Sequence, residues 1–243
     1  MLMPISLRYL CGVLLCTLVV AATAAPAEEQ ENQSEIEQLT EKANGGDPIY
    51  QFGLGLAYES GLGVPKDMKR AIHWYLTAAE QGYDKAQYRL GQIYINAQGV
   101  PRDFAEAARW HLKAAEQGNA SAQFAIGRQY AYGWGVRHSG KKARTWLIAA
   151  APQKRDLAYE ELATLYERGI ALPKNLVVAY ALHSIVAEGG DKFARDAMNG
   201  IEPELDEKAL HAALQLAARL TADPSSLKAE LEALDEQVSP TKE

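Results

Sequence analysis

The sequence predicts an all-α solenoid of four helix-turn-helix units closed by helical caps, and three observations carry that prediction. Residue columns recur every 36 positions: Gly55, Gly91, Gly127 and Ala163; Tyr58, Tyr94, Tyr130 and Tyr166; Ala71, Ala107, Ala143 and Ala179; Trp74, Trp110, Trp146 and Leu182. A fixed period of this size marks stacked supersecondary units. A further column reads Asp67, Asp103, Ser139 and Asn175, all residues whose side-chain oxygen accepts an orphan backbone N–H at a helix start. Gly82, Gly118 and Gly190 fall where the second helix of a unit should close, the position at which glycine tolerates a left-handed backbone.

The second unit shows each element in turn. Ala86, Leu90, Gly91 and Tyr94 form an apolar stripe at helical spacing on the first helix. The turn Ala97-Gln98-Gly99-Val100-Pro101 follows, its glycine permitting positive φ and its proline stopping the helix. Asp103 opens the second helix, which gathers Ala107, Trp110, Ala114 and Ala115 on one face. One such unit cannot bury its own apolar face, so neighbours must stack. The small residues Gly91 and Ala107 leave room for a close helix approach, with Trp110 filling the remaining gap. The units are assigned to 46–81, 82–117, 118–153 and 154–190, with a kink predicted at Pro152 and Lys154. Residues 26–45 read as an acidic segment ending in a capping helix over 35–43 that closes at Gly46. Beyond Gly190, stretches near 191–198 and 205–220 make a C-terminal cap over 191–221. Residues 222–243 read as an acidic flexible tail, in which Leu227, Leu231 and Leu234 have the spacing of one more helix.

These residues resemble the Sel1-like repeat family, relatives of the tetratricopeptide repeat. The shared pattern is Leu54-Gly55, Tyr58, Gly61-Leu62-Gly63-Val64, Asp67, Ala71, Trp74, Ala78-Ala79 and Gly82 in the first unit. In the second it is Ala86, Leu90-Gly91, Tyr94, Gly99-Val100, Asp103, Ala107, Trp110, Ala114-Ala115 and Gly118. Departures are Tyr50 for the first alanine, Ala97 for a turn glycine, and Ala163, Ala171 and Leu182 in the fourth unit. The resemblance implies a right-handed superhelix that binds another protein or peptide and needs no cofactor. Exported relatives act as interaction and regulatory factors in the bacterial envelope, so the resemblance also implies an adaptor role there.

The first 25 residues carry their own signal. One positive charge, Arg8, precedes an apolar run from Tyr9 to Ala22 and the small residues Ala22-Thr23-Ala24-Ala25, the layout of a cleavable export signal. Both cysteines, Cys11 and Cys16, lie within it. Cleavage near Ala25 leaves a thiol-free chain in an oxidising compartment, which excludes thiolate catalysis and cysteine-ligated zinc. The reading is a periplasmic protein without a membrane span after cleavage. Secretion is the alternative, because Asn32-Gln33-Ser34 and Asn119-Ala120-Ser121 fit the N-glycosylation pattern. The formal net charge of −6 excludes a strongly basic nucleic-acid binder.

In related solenoids the first helix of each unit lines the concave face. Positions beside the Leu-Gly and Tyr columns then face a partner: Phe52, Leu56 and Glu59; Tyr88, Gln92 and Asn96; Phe124, Arg128 and Tyr132; Glu160, Thr164 and Arg168. Phe52, Tyr88 and Phe124 share one column, either an aromatic ladder for a partner or packing between units. Arg128 and Tyr132 stand in variable columns and are of the residue types that anchor interfaces. Trp134 sits between Gly133 and Gly135 where no repeat rule demands tryptophan, beside Arg137, His138, Lys141, Lys142 and Arg144. That cluster suits an acidic partner or an envelope glycan.

Catalytic constellations are sparse. His73, His111, His138, His183 and His211 show no metal-ligand spacing, and no P-loop, GxSxG or GxGxxG occurs. Ser139 to Lys142 and Ser225 to Lys228 match S-x-x-K without its companion motifs. A secreted hydrolase with β-lactam or cell-wall chemistry is therefore the rival reading, and a non-enzymatic adaptor without metal or cofactor the favoured one.

Overall fold

In the computed structural model, residues 35–238 are described; they contain helices and turns and no strand. The export signal assigned to residues 1–25 and the segment 26–34 lie outside the described residues. The chain divides into two compact units, one running through Tyr83 and one from Asp84.

The first unit holds α1 (residues 35–44), α2 (Pro48–Ser60) and α3 (Met68–Glu80). Asp47 caps α2 by accepting the Ile49 N–H, and Asp67 caps α3 by accepting those of Lys69 and Arg70. Ala43, Leu54 and Ala57 form its buried centre, with Ile36, Leu39, Tyr58 and Trp74 packed around them. Gly55 lies directly against the Tyr75 ring, where a Cβ would overlap it. Tyr75 in turn donates its hydroxyl to Glu59 Oε2 at 2.5 Å.

The second unit holds α4 (Asp84–Asn96), α5 (Phe104–Glu116), α6 (Ala120–Tyr132), α7 (Gly140–Arg168), α8 (Leu176–Glu188), α9 (Lys192–Ile201), α10 (Glu207–Ala222) and α11 (Leu227–Val238). The predicted caps are in place, since Asp103, Ser139 and Asn175 accept backbone N–H groups at the starts of α5, α7 and α8. Stacking buries one continuous core from Ala108 to Leu231, rich in alanine, leucine and tyrosine. Small residues set the helix spacing, and Ala107 and Trp110 are both buried. The residue that occupies the space beside Gly91 is His111, and the one beside Gly127 is Leu147. Polar ties recur between turns of the stack: Gln117 donates to Gln87 Oε1 and Asn119 to Asp84 Oδ2, each at 2.7 Å.

The α7 helix bends where predicted. Pro152 lies inside it, and Lys154 leaves helical geometry at φ −132° and ψ 41°. Within the stretch read as a tail, α11 occupies Leu227–Val238, and Leu227 and Leu231 are buried in the same core as Ala213, Leu216 and Leu220 of α10. Their spacing of four residues is enough to dock one more helical turn on the core.

Two alanines stand in turn columns where other units have glycine. Ala97, in the column of Gly61, Gly133 and Gly169, has φ 56°; Ala171, in the column of Gly63, Gly99 and Gly135, has φ 62°. A Cβ in this left-handed region costs about 1 kcal/mol relative to glycine. Ala97→Gly is therefore expected to raise the unfolding free energy by about 0.5–1 kcal/mol, part of the gain being returned to the freer unfolded chain. The midpoint of urea unfolding at unchanged slope reports it; a lower midpoint would show that the methyl group packs favourably.

Candidate protein-interaction site

Six of the residues singled out in the sequence line one groove in the second unit: Tyr88, Gln92, Asn96, Phe124, Arg128 and Trp134. Its volume is about 360 Å³. α4 and α6 supply its two walls, and the Gly133-Trp134-Gly135 turn closes one end. Capping geometry puts Trp134 there. Gly133 ends α6 in the left-handed region at φ 72°, its N–H bonding Gln129 O, and the next residue is thrown back over its own helix.

The aromatic side chains of the groove enclose one cation. The Arg128 guanidinium lies 5.9 Å from the Phe124 ring, 5.9 Å from Tyr132 and 5.5 Å from Trp134. Trp134 stacks on Tyr132 at 4.9 Å between centroids and reaches Phe104 at 6.5 Å. Trp134 nevertheless remains 38% exposed. Arg128 Nε lies 3.1 Å from Glu161 Oε2, on a carboxylate whose side chain is only 13% exposed. Burial, with the negative Glu161 beside it, pushes the Tyr132 phenol up; Arg128 and Arg168 pull the other way. Tyr132 thus stays a neutral donor. Rigid aromatics around a planar cation are the side chains that dominate interface energies.

A buried polar chain supports this arrangement from below. His111 is fully buried, with Nδ1 2.8 Å from Gln129 Oε1 and Nε2 3.3 Å from Gln92 Nε2. In the tautomer these partners require, Nδ1–H donates to Gln129 and Nε2 accepts from Gln92. Gln129 then donates from Nε2 to the carbonyls of Phe104 and Trp134, each at 3.4 Å. Burial pushes the His111 pKa down, so the imidazole stays neutral. The chain thus ties the groove residue Gln92 to the turn that carries Trp134.

The other predicted positions have different fates. Thr164 is half-buried on α7, and Arg168 is exposed on the same helix, its charge acting at Tyr132. Phe52 and Leu56 belong to the first unit. Phe52 packs on Tyr75 and Tyr83 at 5.5 and 5.4 Å, so here the aromatic column is packing. Leu56 lines a separate hollow of about 320 Å³ with Ile36, Leu39 and Leu62. The basic cluster beside Trp134 is divided. Lys142 lies over the Tyr130 ring at 4.9 Å and Arg144 turns toward Tyr166, while Arg137, His138 and Lys141 are exposed.

Sequence reasoning missed Glu161, His111 and Gln129. Glu161 shares a helix face with Thr164 and Arg168 at i, i+3 and i+7, a signal that was available. His111 and Gln129 left no such trace, because their pairing is made between helices. Neither S-x-x-K match has a catalytic geometry. Ser139 Oγ caps α7, and Ser225 Oγ donates to Asp223 Oδ1 at 2.5 Å. Among the described residues, no cluster of three metal-ligating side chains and no helix long and apolar enough to cross a membrane occurs.

The Sel1 repeat model matches this chain four times, over 48–83, 84–119, 120–153 and 156–191. The chain belongs to the Sel1 repeat family. Among solved structures, a Sel1 repeat protein from Oxalobacter formigenes is 30% identical over 82% of this chain and 84% of that one, with a TM-score of 0.65. A second likeness is to c5321, a protective antigen present in uropathogenic Escherichia coli strains with an SLR fold. It is 25% identical over 86% of this chain and 52% of that one, with a TM-score of 0.46. No curated protein matches. Sel1 repeats mediate protein–protein interaction, and the family is typically a non-catalytic scaffold. In the Sel1 repeats of this chain, the groove lies between the first helices of repeats two and three.

Proposed function

We propose that this Sel1 repeat protein is an exported adaptor that holds a protein partner in the bacterial cell envelope through the α4–α6 groove. The observation that carries the reading is Arg128, enclosed by three aromatic rings on a surface that still leaves Trp134 partly exposed. No repeat rule requires tryptophan at this turn: the equivalent residues are Leu62, Gln98 and Ile170. Export rests on the apolar run and small-residue site within residues 1–25, and envelope residence follows from export in a bacterium.

A photo-crosslinking residue at Asn96, exposed on the rim of the groove, tests the reading in intact cells. The expected result is a discrete crosslinked protein in the envelope fraction, with the adaptor itself cleaved after residue 25. Arg128→Ala and Trp134→Ala are each expected to weaken that crosslink by about thirtyfold, the effect of removing an interface anchor. Their purified forms should keep their helical circular dichroism. A crosslinking pattern unaltered by both substitutions would remove the groove from the function. An uncleaved, cytoplasmic adaptor would remove the export assignment.

A further inference from the structure

We propose a second docking surface in the first unit, the hollow between α1 and α2, which takes the apolar ridge of a basic amphipathic helix from a partner protein. Ile36 and Leu39 of α1, Gly53, Leu56 and Ala57 of α2, and Leu62 of the following turn line it. Ile49 shares a face of α2 with Gly53 and Leu56 at i, i+4 and i+7. Ile49 is 58% exposed, Leu56 43% and Leu62 71%, an apolar cluster of the kind that marks an interaction surface.

The repeat register says what is missing there. In the second unit, α6 and its turn present Ala125, Arg128, Gln129 and Trp134 toward α4, the first helix of the preceding repeat. Gly53, Leu56, Ala57 and Leu62 hold those same positions two repeats earlier. α1 has the register of a second helix, and among the described residues no first helix precedes it. The face that α6 turns to a neighbouring helix is therefore uncovered on α2. A terminal repeat that serves only as a cap carries a polar outer face. This one has leucine in two columns where the second repeat has Gln92 and Gln98. The register carries the missing helix back to residues 12–24, inside the export signal, so an open position rests on the export reading.

Charge selects the partner. The chain from Pro26 to Glu41 has glutamate at 28, 29, 31, 35, 37 and 41 and no lysine or arginine. Glu35, Glu37 and Glu41 are exposed on α1, and Glu35 lines the hollow. The cation on that helix is committed, since Lys42 donates to the Tyr50 hydroxyl at 3.2 Å and lies over its ring. Lys66, in the turn after Leu62, is outnumbered by these carboxylates. Lysine or arginine on the polar face of an incoming helix complements them, whereas an acidic helix is repelled. A helix is about 10 Å across, too wide for a hollow of about 320 Å³ to enclose. It therefore lies across the mouth and inserts side chains at i, i+3, i+4 and i+7 spacing.

Two synthetic peptides of about four helical turns test the assignment. Each has leucine at that spacing, one with lysine and one with glutamate at the remaining positions. Binding to the protein purified from the envelope fraction is read by fluorescence anisotropy of a dye on the peptide, and mass spectrometry reports whether residues 1–25 are present. The lysine peptide is expected to bind saturably and about tenfold tighter than the glutamate peptide. Leu56→Gln with Leu62→Gln, the residues of the second repeat placed at two exposed positions, should weaken it about tenfold with helical circular dichroism unchanged. Glu35→Lys with Glu37→Lys should erase the preference for lysine, and Trp134→Ala in the α4–α6 groove should leave both peptides unaffected. A lysine peptide bound equally well by the double leucine variant would overturn the docking surface, leaving only attraction to an acidic chain. Self-association of the protein in light scattering, lost in that variant, would replace the partner with a second copy of this chain. Retention of residues 1–25 with no peptide bound would mean that the missing helix is supplied in cis, against a partner. A cleaved protein that binds neither peptide overturns the docking surface while the export reading stands.

Discussion

Gly135→Ala is expected to destabilise the second unit by about 3 kcal/mol. Two independent costs add. Gly135 has φ 72°, and an L side chain in that region costs about 1–2 kcal/mol. The new Cβ would also overlap the Phe104 carbonyl and the Ala105 nitrogen at the start of α5. These are backbone atoms that no rotamer change can move aside, and overpacking of this kind costs about 1–3 kcal/mol. The same docking recurs one repeat later with the partners exchanged. There Ala171 occupies the turn and Gly140 the helix start, and a Cβ on Gly140 would overlap the Ala171 carbonyl. Each contact thus has one glycine, on one side or the other. Urea unfolding followed by circular dichroism measures the loss. A change below about 0.5 kcal/mol would show that the turn can lift away from α5 at little cost.

His111→Leu is expected to cost about 2 kcal/mol at pH 7.5, because the Gln129 and Gln92 amides lose their buried partner. Size alone would permit the change, since Leu147 occupies the equivalent position against Gly127. The cost should shrink as the pH falls. Burial holds the pKa of both His111 and His183 below the ordinary 6.5; Glu167 and Asp191 partly oppose this at His183. Below pH 6.5 the unfolded chain therefore binds protons that the folded chain refuses. Stability is fully present above that value and falls toward acid by about 1.4 kcal/mol per pH unit for each imidazole, until the folded pKa is reached. His111→Leu removes one of these two imidazoles and should lose stability less steeply as the pH falls below 6.5. Equal slopes in the two proteins would show that His111 is protonated within the fold. The variant should also loosen Trp134, whose carbonyl is held by Gln129, and a change in tryptophan fluorescence reports that directly.

The legible part of this protein is what repetition makes redundant. The caps Asp67, Asp103, Ser139 and Asn175 each announce a helix start by local chemistry, and the structure uses all four as caps. Pro152 likewise announced its kink, because a missing N–H acts on its own helix wherever that helix lies. The groove was legible only in part. Tyr88, Gln92, Asn96, Phe124, Arg128 and Trp134 could be named from their positions beside the repeated columns. Phe52 shares a column with two of them but packs within its own unit. A column fixes the face on which a side chain lies and leaves open what stands opposite.

The sequence by itself determined the fold class, the repeat register and the family, because each rests on spacing and on backbone preferences that act within a few residues. Only the tertiary structure decided which residues meet. It paired Arg128 with Glu161 and enclosed it in aromatic rings, joined His111 to Gln92 and Gln129, and placed glycine on alternate sides of the turn contacts. It also left Leu56 and Leu62 uncovered beside α1. Those outcomes depend on distances between helices. Such distances are set by the summed packing of residues far apart in the chain, which no local pattern encodes.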